Sequence, residues 1–92
     1  MNNYKNILTD GRQLKAGRVI LGLTINQVAE AVNLNRNSVM HAEAFHALPH
    51  STHSGEFIAE YLITNGIEFN VVDGKPGINF NGSPSRINIY RK

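Results

Sequence analysis

The fold of this chain is decided by residues 23–43, which read LTINQVAEAVNLNRNSVMHAE. Thr24 and Gln27 have the spacing of a capping box, in which two side chains satisfy backbone amides at the start of a helix. Behind them the apolar residues recur with the period of a short amphipathic helix. Asn33 then stands where a left-handed residue would turn the chain, and Asn tolerates that conformation better than most residues other than Gly. The stretch predicts two short helices joined by a tight turn.

The same signals predict helices on both sides of this turn. Asp10 and Gln13 repeat the capping-box spacing at the start of a helix that runs to about Leu21. Asn35 is placed to cap the helix that follows the turn, over roughly residues 36–45.

A fourth helix is predicted over about residues 55–64, with Ser54 as its cap and Asn65-Gly66 as its end. Its apolar face is expected to join the core. That face comprises Phe57, Ile58, Tyr61 and Leu62.

The hydrophobic period changes from that of a helix to that of a strand at Ile67. Asp73-Gly74 is a hairpin turn signal, and residues 82–84 (Gly-Ser-Pro) mark a second turn. Ile87 and Ile89 alternate with polar residues after it. Two or three short strands are therefore predicted to follow the helices.

The predicted architecture is a mainly α fold in a single domain over residues 1–92, a length that suits one domain. A bundle of about four helices spans residues 10–65. A short β extension, either a hairpin or a three-stranded meander, spans residues 66–92.

Charge is segregated along the chain, although the formal net charge is only +2. Residues 37–73 contain no Lys or Arg, whereas the segments before and after them are basic. Basic ends favour a polyanionic partner, and the acidic middle favours a different role.

Composition excludes several classes of site. The chain has no cysteine, which excludes disulfides, thiolate metal sites and a cysteine nucleophile. No apolar run reaches the ~20 residues of a membrane span, and the first residues lack the apolar stretch of a signal peptide, so we expect a cytoplasmic protein with no membrane contact.

Catalytic and metal signatures are also missing from the sequence. Four histidines lie close together, at positions 41, 46, 50 and 53, but Pro49 interrupts any helix that would align them. No nucleophile elbow or phosphate loop is present. We expect no enzyme activity, no cofactor and no metal.

Residues 10–45 resemble the Xre/Cro-like helix-turn-helix family of phage and bacterial repressors, with the helix-turn-helix itself over residues 24–45. The family's order of cap, apolar–Ala–Glu, turn, second cap, polar pair, aliphatic residue and Glu is followed here. The family often pairs an Arg of the first helix with a Glu at the end of the third, and Arg18 and Glu43 match these positions. The chain departs from the pattern at Asn33, where Gly is usual, and at Ile25, where Gln is usual.

The resemblance implies a lambda-repressor-like bundle that binds double-stranded DNA. It implies a sequence-specific transcriptional regulator, a repressor that acts as a homodimer on a palindromic operator. Base readers would lie at the start of the third helix and one turn on. These are Arg36, Asn37, Ser38 and His41. Arg can contact guanine and Asn can contact adenine with two hydrogen bonds each, and Met40 could touch a thymine methyl group.

Contacts to the DNA backbone are expected from residues near helix starts and from basic residues of the first helix. These are Thr24, Gln27, Asn35, Lys15 and Arg12. Arg18 and Glu43 are expected to form a structural ion pair. The plainer interpretation is that these polar residues are a solvated surface, and for Arg12 and Lys15 it is the better one.

A second functional hypothesis remains open. An antitoxin-like or other protein-binding module would use the C-terminal half to capture a partner protein. A toxin-like gene beside this one, or a second chain that co-purifies, would distinguish it from a regulator that acts alone.

Overall fold

The computed structural model describes residues 7–44 and 52–81. Within these residues, four helices precede a two-stranded antiparallel sheet. They are α1 (Gly11–Ile20), α2 (Ile25–Val32), α3 (Arg36–Ala42), α4 (His53–Thr64), β1 (Ile67–Val72) and β2 (Lys75–Phe80). The predicted helix-rich fold with a C-terminal hairpin is confirmed at this level. The predicted second turn and the residues around Ile87 and Ile89 lie outside the described residues.

The predicted helix starts are present at α1, α2 and α3. Asp10 with Gln13, and Thr24 with Gln27, each form a reciprocal capping box. The Asn35 side chain accepts a hydrogen bond from the Ser38 amide at 2.8 Å. These bonds satisfy amides that have no partner within the helix.

The turn between α2 and α3 has the predicted left-handed residue. Asn33 has φ 60° and ψ 45°. The next residue, Leu34, donates its backbone N–H to the carbonyl of Ala29 at 2.9 Å, which closes the end of α2. This turn sets the direction in which α3 leaves α2.

The start of α4 differs from the prediction. Thr52, and not Ser54, is the N-cap, and its hydroxyl accepts from the Gly55 amide at 3.0 Å. Ser and Thr both cap helices, so residue type alone does not decide between the two positions. The earlier start adds a helical bond from the Glu56 amide to the Thr52 carbonyl at 3.1 Å.

The end of α3 also differs from the prediction. The helix ends at Ala42, before the predicted end at residue 45, and residue 45 itself lies outside the described residues.

One core lies between the helices and the hairpin. Leu14, Val28, Val39, Ile58 and Leu62 have no exposed surface. The prediction that Phe57 joins this core is wrong, because its side chain is 49% exposed. The apolar residues of α4 cover more of its circumference than the core contacts, and Ala59, on the opposite side of the helix from Phe57, is buried.

The hairpin packs on α1 through Gln13, which is 2% exposed. The Asp73-Gly74 turn has positive φ at both residues, 54° and 77°, as the predicted two-residue hairpin loop requires. Gln13 Nε2 donates to the carbonyls of Asn70 and Gly77, both at 3.0 Å, which face each other across the two strands. In the described parts of the chain, no helix is long and apolar enough to cross a bilayer.

Candidate nucleic-acid interface

The candidate site is the outer face of α3. The packing of the opposite face against the core sets the direction in which this outer face points. Val39 has no exposed surface, and Ala42 is 7% exposed. They contact a core that α2 and α4 also line. Because the inner face of α3 is apolar and buried, its polar face is directed away from the protein.

The four residues predicted to read bases lie on this single short helix. Arg36, Asn37 and His41 are exposed, and Ser38 is partly exposed. Residues three or four positions apart lie on the same side of a helix, so Arg36 lies beside the exposed Met40, and Asn37 lies beside His41. The structure thus places Arg36, Asn37 and His41 on the exposed side of α3, and Ser38 nearer its buried side.

The Arg36 side chain contacts Met40, one helical turn further along α3. Its Nη1 donates to the Met40 sulfur at 3.1 Å. Within the described residues, no carboxylate pairs with the Arg36 guanidinium, which therefore keeps most of its donors for another acceptor.

A shallow cleft of about 310 Å³ connects Arg36 to the start of α2. Thr24, Ile25 and Asn26 line its other side. The first amides of a helix point toward anions that approach its N-terminus. The side chain of Arg36 and the first turn of α2 thus lie beside the same opening.

The predicted backbone-contacting residues at helix starts are engaged by their own caps. Thr24 Oγ1 accepts from the Gln27 amide at 3.1 Å, and Gln27 Oε1 accepts from the Thr24 amide at 2.8 Å. Asn35 Oδ1 accepts from Ser38. The amide groups of Gln27 and Asn35 still carry N–H donors, so their contact with a phosphate would go through nitrogen.

Arg12 lies away from this cleft, since the preceding residue, Gly11, packs against the carbonyls of Ala42 and Ala44 at the far end of α3. Arg12 also binds Asp10, with Nη2 to Oδ2 at 2.8 Å. This hydrogen bond raises the pKa of Arg12 above its usual value. The structure therefore does not group Arg12 with the α3 face.

Arg12 instead shares a groove with a residue that the sequence did not single out. Lys75 and Pro76 of β2 line this groove together with Arg12 and Ala16 of α1. Lys75 is 63 positions from Arg12 in the numbering, so only the tertiary structure brings them near each other. Lys15, also on α1, is exposed and lines neither opening.

Arg18 and Glu43 form a nearly buried ion pair. Arg18 Nε donates to Glu43 Oε2 at 2.7 Å, and Arg18 Nη2 donates to Oε1 at 3.1 Å. A third bond runs from Arg18 Nη1 to the Leu23 carbonyl at 3.0 Å. These bonds join α1 to the end of α3 and to the segment before α2, and so fix the position of the polar face.

The histidines do not form a metal site within the described residues. His41 lies on α3 and His53 begins α4, while His46 and His50 lie outside those residues. No group of three potential ligands converges in the part of the chain that the structure describes.

No family model, curated protein or solved structure matches the chain. The geometry of the α3 face and its cleft is therefore what supports a function.

Proposed function

We propose that the chain is a sequence-specific DNA-binding regulator that inserts α3 into the major groove. The observation that carries this proposal is the division of α3 into a buried apolar side and an exposed side bearing Arg36, Asn37 and His41. In this proposal α2, the Asn33 turn and α3 form the helix-turn-helix of a lambda-repressor-like bundle.

The dimensions and chemistry of α3 suit this groove. Its seven residues rise about 10 Å, and the major groove is wide enough to admit a helix. An Arg and an Asn at its start supply the donors and acceptors that distinguish guanine and adenine. Glu43, the one acid in or next to α3, is paired with Arg18, so α3 itself presents no unpaired carboxylate.

The start of α2 would hold the phosphate backbone while α3 reads bases. The cleft between Arg36 and Thr24 leaves room for a phosphate at the amides of Ile25 and Asn26. This contact uses backbone atoms, and it replaces the one that Gln would make at position 25 in the family pattern.

Dimerisation and repression belong to the same proposal. One short helix reads too few bases to select a site in a genome, so two copies would bind half-sites about 34 Å apart on a palindromic operator. With no effector domain among the described elements, occlusion of a promoter is the simplest mode of action. Because the proposed partner is DNA, we also propose that the protein is cytoplasmic.

The test is a titration of the full chain against its own upstream DNA and against a scrambled duplex of equal length. It is run at about 150 mM salt, because basic proteins bind any DNA when salt is low. Nanomolar preference for the native fragment is the expected result. Equal, weak binding to both duplexes and to a random-sequence library would contradict sequence-specific recognition.

The Arg36→Ala variant sharpens the test. We expect a loss of discrimination of about 1–3 kcal/mol at one operator position, with other positions unaffected. Lys75→Ala removes an equal charge from the α1–β2 groove and serves as the matched control. If Arg36→Ala instead weakens binding to every sequence equally, Arg36 contacts phosphate and not a base.

A protein-binding role is the second candidate, and one surface favours it. Phe57 lines an open groove of about 350 Å³ together with Val32 and Tyr61, between α2 and α4. An exposed aromatic residue in a groove is typical of a protein contact. A second protein that co-purifies with the chain, and is lost from Phe57→Ser, would support this alternative.

A further inference from the structure

Sulfur is confined to two residues of this chain, Met1 and Met40, because cysteine is absent. Met40 is the only one within the described residues, and its side chain is 43% exposed. It lies in the middle of the exposed face of α3, between Arg36 and His41. An oxidant that reaches this protein therefore meets an accessible thioether on the face that we propose contacts DNA.

The contact between Arg36 and Met40 gives oxidation a specific consequence. Arg36 Nη1 donates to the Met40 sulfur at 3.1 Å, and a thioether is a weak acceptor. A sulfoxide oxygen on the same sulfur is a strong acceptor, and a bond from a guanidinium to it is charge-assisted. Met40 lies one helical turn after Arg36, so the new oxygen is within reach of Arg36 without a change in the backbone.

We propose that Met40 is a reversible oxidation site whose sulfoxide holds the Arg36 side chain and weakens DNA reading by α3. The inference rests on the proposed function for its effect on DNA. The Arg36–sulfoxide bond itself does not depend on that function.

The reaction requires a hydroperoxide as co-reactant. A lone pair of the Met40 sulfur attacks the terminal peroxide oxygen, an S–O bond forms and the O–O bond breaks. The leaving oxygen takes the proton that the transferred oxygen loses, so the products are the sulfoxide and water or an alcohol. Sulfur is oxidised by two electrons and the peroxide is reduced by two. A sulfoxide reductase restores the thioether with electrons from thiols.

Two effects on DNA binding follow. The guanidinium that would donate to guanine is engaged by the sulfoxide oxygen, and an apolar group that could contact a thymine methyl becomes polar. We expect affinity for the selected duplex to fall about tenfold, with little change in non-specific binding, since phosphate contacts are unaffected.

The experiment uses the full chain and duplexes that it selects from a random-sequence library. The protein is treated with hydrogen peroxide, oxidation at Met40 is quantified by mass spectrometry, and affinity is measured by fluorescence anisotropy. We expect the tenfold loss in the wild type and its recovery after treatment with methionine sulfoxide reductases of both stereospecificities and dithiothreitol. Met40→Gln, which carries an amide oxygen near that position, should bind more weakly without any peroxide.

Met40→Leu is the matched control, because leucine keeps the approximate shape of the side chain but has no sulfur. This variant still contains Met1, so it also reports any effect of oxidation there. Peroxide should leave its affinity unchanged. An equal loss in Met40→Leu, or no loss in the wild type with Met40 fully oxidised, would overturn the inference while the proposed function stands.

A second readout separates the two hypotheses. The side-chain Nε–Hε resonance of Arg36 in an NMR spectrum should shift on oxidation of the wild type and stay in place in Met40→Leu. If the library yields no preferred duplex, the proposed function fails and this shift alone decides whether the Arg36–sulfoxide contact forms. An unshifted resonance would refute that contact.

Discussion

The ion pair that joins α1 to the end of α3 is almost completely buried. The side chains of Arg18 and Glu43 are 11% and 6% exposed, and two hydrogen bonds join them. A buried pair of this kind gains little over apolar residues of the same shape, but loss of one partner leaves the other charge unpaired. The pair therefore acts as a strong constraint on where α3 lies relative to α1.

Replacing Glu43 with Ala is expected to lower the free energy of unfolding by about 3–5 kcal/mol, because Arg18 is left buried without a counter-charge. Urea denaturation followed by circular dichroism measures this. Glu30→Ala, at an exposed position of α2, is the control and should change stability by less than about 0.5 kcal/mol. An unchanged midpoint for Glu43→Ala would remove the argument that the pair holds α3 in place.

At the scale of elements, α1 and α3 meet through backbone atoms. A Cβ at Gly11 would collide with the carbonyl oxygens of Ala42 and Ala44, which are main-chain atoms and cannot rotate away. A Cβ at Gly17 would approach Leu62 Cδ1 at 3.1 Å, the end of a side chain that can adjust. Helix propensity alone would predict that Ala stabilises either site, by up to about 1 kcal/mol.

We expect Gly11→Ala to destabilise the protein, and to do so more than Gly17→Ala, because a clash with backbone requires the start of α1 to move away from α3. Thermal unfolding of the two variants, compared with the wild type, measures the difference. Equal melting temperatures for the two variants would mean that the contact between α1 and α3 yields easily.

The sequence predicted those features that depend on neighbouring residues. The two capping boxes, the left-handed Asn33 and the Asp73-Gly74 turn follow from local chemistry, and all are present. The start of α4 was predicted wrongly because Thr52 and Ser54 are both of residue types that cap helices, and residue type alone does not decide between them. The exposure of Phe57 depends on which side of α4 meets the core, and the periodicity of a single helix does not determine that.

The same distinction between local chemistry and tertiary packing applies to the candidate site. Helical spacing places Asn37 and His41 on one side of α3, so this face could be predicted. The separation of Arg12 from that face, and its proximity to Lys75, depend on how α1 packs against the end of α3 and against β2.

At the scale of the whole molecule, Gln13 connects the helical bundle to the hairpin. Its Oε1 accepts from the amides of Thr9 and Asp10 at the start of α1. Its Nε2 donates to the carbonyls of Asn70 and Gly77 in the hairpin, and also to the carbonyl of Ile7 before α1. One amide group thus caps a helix with one end and holds a sheet with the other.

Gln13→Glu separates the cap of α1 from the bonds of the nitrogen, because it keeps the capping oxygen and replaces the donor to the hairpin and to Ile7 with a second oxygen. That oxygen would face the strand carbonyls without a proton to share, so we expect the hairpin to open more readily than the bundle. Hydrogen exchange at single amides should show protection falling in β1 and β2 and holding in α2 and α3. Lys15→Ala, on the exposed side of α1, should leave both unchanged. A uniform loss of protection would mean that the hairpin and bundle unfold as one unit.

The register of the hairpin has a consequence for how copies of this protein meet at high concentration. Val72 and Lys75 close the two-residue loop, and the Asn81 amide donates to the Gly66 carbonyl at the other end of the ladder. Hydrogen-bonded and non-hydrogen-bonded residue pairs alternate along an antiparallel ladder, and Pro76 belongs to a non-hydrogen-bonded pair. Its backbone nitrogen therefore points away from β1. Proline has no hydrogen there, so the outer edge of β2 offers no donor beside its turn. Growth of the sheet into fibrils through that edge is hindered at its first step.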